Sequence, residues 1–270
     1  MTDYTCLDVL QDGDIRWLTL NRPHKVNAFD AALWDELSHA LDDAERAPDA
    51  RVVVVRGAGG HFSAGYDLPA ALSELENASP DAIREHIARG NRACWAAWNM
   101  DKPVIAAIEG YCLGGGFEFA MCCDFVVAEE SARFGEPEGR VAASAPFLIT
   151  PWVMSMRHAK EILLLGETVD AARAERMGII NEICTAGEIE ACVRRWARRL
   201  LGFDPDIWAA NKRALNRSYE IRGFRESVMM GEDAFVQMSY IPSRFRDELA
   251  ARVKGEGFAR AMKWVQGRHE

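Results

Sequence analysis

Two glutamates in this chain stand beside glycine-rich turns. Glu118 lies in GYCLGGGFEFAMCCD (residues 110–124), just past the triplet Gly114–Gly116, and Glu138 lies twenty residues later in FGEPEG (residues 134–139). Two carboxylates that converge on one site can act as acid and base, provided their surroundings split their pKa values. The glycines suggest a partner for that pair. GAGGHFSAGYDL follows the run Val52–Val55, and EGYCLGGGFE follows Val104–Ile108. Glycines at such strand exits let a backbone approach a ligand and turn its N–H groups outward. Two free amides facing one point make an oxyanion hole, suited to a carbonyl oxygen that gains negative charge. The second junction also opens a helix, whose dipole adds positive potential there. A glycine by itself serves a tight turn, and a glutamate in a first helical turn complements the dipole. Three glycines opening an apolar helix go beyond either need.

Other candidate motifs break. Gly57-Ala58-Gly59 after a β-branched strand begins a dinucleotide fingerprint, but its third glycine would fall at Phe62. His61-Phe62-Ser63-Ala64-Gly65 has histidine where a nucleophile elbow needs glycine. The six histidines show no metal-ligand spacing. Trp95 and Trp98 fit a helical core rather than a ligand platform.

The elements that must position these residues follow from periodicity. Ile15–Leu20, Val52–Val55, Val104–Ile108 and Phe125–Ala128 are predicted strands, with a last short one over Ile179–Ile183. Helices are predicted over Ala31–Ala47, over 81–99, and from the triplet onward. Residues 69–80, containing Pro, Ser and Glu, read as a mobile surface loop. After about Pro151 the chain turns mostly helical, through Lys160–Leu165, Ala171–Met177, Ile189–Leu201 and Ile207–Tyr219. The prediction is an α/β core with a helical C-terminal third.

The totals fit that picture. The chain has 270 residues, 49% of them hydrophobic and 27% charged, enough for a sizeable core. A net charge of −9 disfavours nucleic-acid or anionic-membrane surfaces, which need basic patches. Seven cysteines, an odd number without C-x-x-C, read as small buried hydrophobes in a reducing compartment. With no signal-peptide pattern and no apolar run of ~18 residues, the expected location is cytoplasmic.

At this point the residues resemble a family. LNRPHKVNAF, HFSAGYDL, KPVIAAIEGYCLGGGFEFAMCCDFVVA, ARFGEPE and AKEILLLGETVDAARAERMGIINEI are similar, in order over roughly residues 15–185, to the enoyl-CoA hydratase/isomerase (crotonase) superfamily. The resemblance implies a spiral of ββα units in two roughly perpendicular sheets over residues 1–200. It also implies a helical trimerisation region over 201–270, in a homotrimer or a dimer of trimers. It implies an acyl-CoA thioester as substrate and no metal or redox cofactor. By position, the amides of Tyr66 and Gly115 hold the thioester oxygen, and Asp67 and Leu68 line the pantetheine channel. The Arg22–Ala28 turn lies near the CoA nucleotide, with Lys25 on a phosphate. Ala28, Ala64 and Gly114 complete the implied substrate-binding positions. Glu118 and Glu138 match the two glutamates with which hydratases hold a water, the first taking its proton and the second protonating Cα. The SAG-(bulky)-DL form is similar to carnitinyl-CoA dehydratase-like members and to fatty-acid hydratases.

One departure stands out. Where hydratases continue through a P-G-x-G-G turn, this chain reads Gly139-Arg140-Val141-Ala142-Ala143-Ser144-Ala145-Pro146-Phe147-Leu148. Counted without gaps, Pro146 falls where an amide donor is expected, and proline has no N–H. Only a local shift restores the bond, and the bulkier loop suits an atypical acyl group. Hydration or dehydration of a CoA thioester is the leading expectation. The alternatives are a double-bond isomerase or thioester hydrolase on the same fold, and a noncatalytic RNA-binding relative.

Overall fold

The structure, a computed structural model, describes residues 3–141 and 143–268. Its strands are β1 (Leu7–Asp12), β2 (Ile15–Leu20), β3 (Val52–Gly57), β4 (Val104–Ile108), β5 (Tyr111–Leu113), β6 (Phe125–Glu129), β7 (Arg133–Gly135), β8 (Val169–Asp170) and β9 (Glu182–Cys184). They form one six-stranded sheet, ordered β1-β2-β3-β4-β6-β9, and one three-stranded sheet, ordered β5-β7-β8. In the larger sheet only β1 runs antiparallel to its neighbour.

The helices are α1 (Ala31–Arg46), α2 (Leu68–Glu74), α3 (Pro80–Asn99), α4 (Gly115–Cys122), α5 (Thr150–Val153), α6 (Met156–Lys160), α7 (Ala171–Met177), α8 (Ile189–Leu201), α9 (Pro205–Ile221), α10 (Phe224–Tyr240), α11 (Arg244–Glu256) and α12 (Phe258–Gln266). This is the α/β architecture with a helical C-terminal region that the pattern implied. The parallel sheet is covered on both faces, which explains its unbroken apolar strands. Val53, Val55, Val104, Ala106 and Ile108 pack towards α1, α3 and α4. Their alternates Val52, Val54, Ile105 and Ala107 pack against Cys192, Val193, Ala197 and Leu200 of α8. The C-terminal helices are docked on this core: Lys212 of α9 is buried and donates to Asp124 at 2.7 Å and to the Ala97 carbonyl at 3.1 Å.

Three local expectations need correction. The stretch 69–80 is mostly not a loop. Asp67 caps α2 by accepting from the Ala70 amide, and Pro69 sits in the first turn, where its missing N–H costs nothing. The short strand expected from Ile179 begins only at Glu182. The helix expected over Lys160–Leu165 ends at Lys160 and continues as one wide π turn, Glu161–Leu165. Among the described residues, no helix is long and apolar enough to cross a membrane.

Candidate active site

The two glycine-rich junctions meet. A parallel bridge joins Ser63 to Cys112, with the Leu113 amide donating to the Ser63 carbonyl at 3.0 Å. Gly65 and Asp67 are tied to Phe29 on the other side, at 2.8 and 2.9 Å. Tyr66 lies between these ties, and its amide has no backbone acceptor among the described residues. The same holds for Gly115, the first residue of α4. Among the described residues, the two amides that the family resemblance implies as oxyanion donors therefore have no backbone acceptor.

Ser63 and His61 have structural work instead. Ser63 is fully buried and joins the Asn27 carbonyl to the Gly65 amide. His61 accepts from the Tyr111 amide and stacks on the Tyr111 ring.

Gly114 caps α4 with φ +51°, a left-handed conformation that glycine adopts freely. Its amide donates to the Gly135 carbonyl at 2.9 Å, which draws the FGEPE loop against the mouth of the helix. A Cβ on Gly114 would overlap the Glu138 carboxylate. Glu118, one turn into α4, is 1% exposed. Its Oε1 accepts from the Phe147 amide at 3.0 Å and its Oε2 from the Tyr66 hydroxyl at 3.2 Å. The Phe147 amide, one residue past Pro146, is thus spent on Glu118 itself.

A third carboxyl joins the pair. Glu136 is 1% exposed, accepts a hydrogen bond from Thr150 Oγ1, and keeps its Oε2 buried without a partner. Glu138 Oε2 is likewise buried and unpartnered among the described residues. Burial, then the Glu136 and Glu138 charges, push the Glu118 carboxyl well up, while the Phe147 amide opposes them. Burial raises Glu138 to about 7. Burial followed by the Glu138 charge raises Glu136. Such a cluster cannot be fully ionised and must hold protons near neutral pH. The sequence reading missed Glu136 and Thr150. Glu136 stood inside the quoted FGEPEG, but nothing local showed that it would be buried.

The remaining expected positions gather around the Arg22–Ala28 turn. Asn27, fully buried, donates to the Ala58 and His61 carbonyls, both at 2.8 Å, and fixes the turn to the strand exit. Asp67 is 6% exposed and pairs with Arg22 at 3.2 Å and more loosely with Lys25 at 3.9 Å. Lys25 is half-exposed. Ala28 is buried, Ala64 is partly buried, and Leu68 opens α2. Away from the site, Glu182, Cys184 and Cys192 are the one close group of metal-ligating types among the described residues. Arg195 and Trp196 already occupy the Glu182 carboxylate.

Comparison with known proteins finds similar chains. Carnitinyl-CoA dehydratase of Escherichia coli (strain K12) is 35% identical over 219 residues, covering 80% of this chain and 82% of that protein. Carnitinyl-CoA dehydratase of Salmonella typhi is 33% identical over 266 residues, covering 92% and 98%. The crystal structure of an enoyl-CoA hydratase/isomerase from Xanthobacter autotrophicus Py2 superposes with a TM-score of 0.94 at 33% identity, covering 98% of this chain and 99% of that one. The profile of the enoyl-CoA hydratase/isomerase family matches residues 11–240, and the chain belongs to that family.

Proposed function

We propose that this protein is an enoyl-CoA hydratase-like lyase. It adds water across the conjugated double bond of a 2-enoyl-CoA thioester, or removes it from the 3-hydroxyacyl-CoA. The observation that carries this reading is the meeting of two amides without a backbone acceptor among the described residues, Tyr66 and Gly115, with the buried Glu118 and the partly buried Glu138.

The chemistry follows from the geometry. The Tyr66 and Gly115 amides bind the thioester oxygen and stabilise the enolate formed when water attacks Cβ. Glu118, whose two oxygens each receive a donor, takes the proton of the water when ionised. Glu138, with no donor on its buried Oε2 and a pKa of about 7, delivers a proton to Cα as the enolate collapses. Water is consumed, the Cα–Cβ π bond is lost, and C–O and C–H bonds form. These groups suffice for the step without a cofactor beyond the CoA of the substrate. Lys25 and the Arg22–Ala28 turn hold the nucleotide, and Ala64, Asp67, Leu68 and Gly114 border the acyl-pantetheine path.

Exposed apolar residues on the C-terminal helices, among them Ile207, Leu215, Ile221, Met229 and Met230, support self-association through residues 201–270, as a trimer or a pair of trimers. The relatives named above make a polar acyl group worth including beside simple ones. The test is a panel of 2-enoyl-CoA and 3-hydroxyacyl-CoA thioesters, followed by the conjugated absorbance. Turnover of at least one member is expected. No turnover of any sinks the reading.

A further inference from the structure

Tyr66 enters the site twice. Its amide is one proposed oxyanion donor, and its side chain turns back across the other. A Cβ on Gly115 would stand 2.8 Å from the Tyr66 ring and 3.0 Å from Trp34. A Cβ on Gly90 of α3 would stand 3.3 Å from the Tyr66 hydroxyl. Two helices therefore each offer a glycine to the phenol, and Trp34 lies alongside with ring centroids 5.9 Å apart. The ring so held places its hydroxyl 3.2 Å from Glu118 Oε2, opposite the Phe147 amide on Oε1. Tyr66 is the one side chain that donates to Glu118 among the described residues.

We infer that the Tyr66 phenol is a positioning residue for Glu118: it fixes the plane of the carboxylate and supplies a neutral donor that stabilises its ionised form. This rests on the lyase reading given above. The groups around the pair show why a donor is needed there. Glu136 and Glu138 reach Glu118 from the loop after β7, and the Cys94 thiol reaches it from α3. His86 of α3 has its ring centroid 6.4 Å from that of Tyr66 but is held by Glu74 at 3.0 Å. Arg89 also binds Glu74. Neutral donors are therefore what offsets the burial of a charge on Glu118. Burial, followed by the Glu118 charge, pushes the phenol well above its ordinary value, so it stays protonated and donates at every working pH.

The test uses Tyr66→Phe in the full chain, which deletes the hydroxyl and keeps the backbone amide. With the best 2-enoyl-CoA of the panel, kcat is expected to fall about tenfold with KM within about twofold. The acidic limb of kcat/KM should move up by about one pH unit, the loss of one hydrogen bond to a charged group. In the free protein, the Glu118 carboxylate is followed by pH-difference infrared spectra referenced to Glu118→Gln. Its midpoint is expected to rise by the same amount. An unchanged midpoint, or a loss confined to KM, overturns the inference. Absence of turnover in the wild-type protein sinks the lyase reading instead, and the infrared midpoint still decides whether Tyr66 holds Glu118.

Discussion

The amide wall of the site, Tyr66 and Gly115, is held by strand-to-strand bonds of the core. The carboxyl wall, Glu118, Glu136 and Glu138, is held by a returning segment with little regular structure. On the first wall backbone contacts between neighbouring segments carry the main ties: Ser63 to Leu113, Phe29 to Gly65 and Asp67, Gly114 to Gly135. On the second, the Ala143 amide reaches the Glu138 carbonyl at 2.9 Å, Phe147 reaches Glu118, and Thr150 reaches Glu136. The difference teaches where the chemistry can vary. In the reaction proposed above, activation of the thioester rests on backbone ties, whereas the fate of the enolate rests on a segment whose side chains and register can change.

Breaking the carboxyl wall should have the largest effect. Glu118→Gln keeps the shape and one oxygen to accept from the Phe147 amide, but its NH2 group accepts nothing and the proposed base is removed. A fall in kcat of ~10²–10⁴-fold is expected, with binding of a CoA thioester by calorimetry unchanged within about twofold. Breaking the amide wall comes next. Gly115→Ala drives a methyl group into the Tyr66 ring and turns the amide, so a loss of ~10²–10³-fold is expected. Unlike the first variant, it should slow every thioester substrate alike, because it acts on the oxyanion.

A milder change sharpens the comparison. Thr150→Val leaves Glu136 Oε1 buried without its donor and loosens the anchor of the segment that carries Phe147. Urea unfolding should show a stability loss of about 1–3 kcal/mol, with kcat reduced less than in Glu118→Gln. The smallest effect is in pH. Glu138 holds its proton up to about 7 in the folded chain, against an ordinary 4.5. The folded state therefore binds more protons than the unfolded one in that window. Stability is fully present below about 4.5 and falls as pH rises to about 7. The carboxyls of Glu118 and Glu136 act in the same direction. Melting temperatures across this range should decline, and Glu138→Gln should flatten the decline.

Much of the amide wall was legible in the sequence, because its determinants are local. A β-branched run buried on both faces and a glycine triplet at a helix mouth each carry their own signal. Glu118 and Glu138 were legible as types beside those turns. The Asp67–Pro69 helix start was overlooked because Pro, Ser and Glu further along suggested a loop, although an N-cap residue with proline just inside is a start signal. The Phe147 amide, the Glu136–Thr150 bond and the path of the Tyr66 ring could not be read that way. Each depends on how a segment returns across 14 to 52 residues of sequence, which local pattern does not encode.

The central claim is water addition across Cα and Cβ at the meeting of the two walls. Its most direct test is mass spectrometry of the product formed from a turned-over 2-enoyl-CoA in doubly labelled water. One heavy oxygen at Cβ and one deuterium at Cα are expected, with both lost in Glu118→Gln and Glu138→Gln. Deuterium without heavy oxygen, as an isomerase would give, or heavy oxygen in a released carboxylate, as a thioester hydrolase would give, contradicts it.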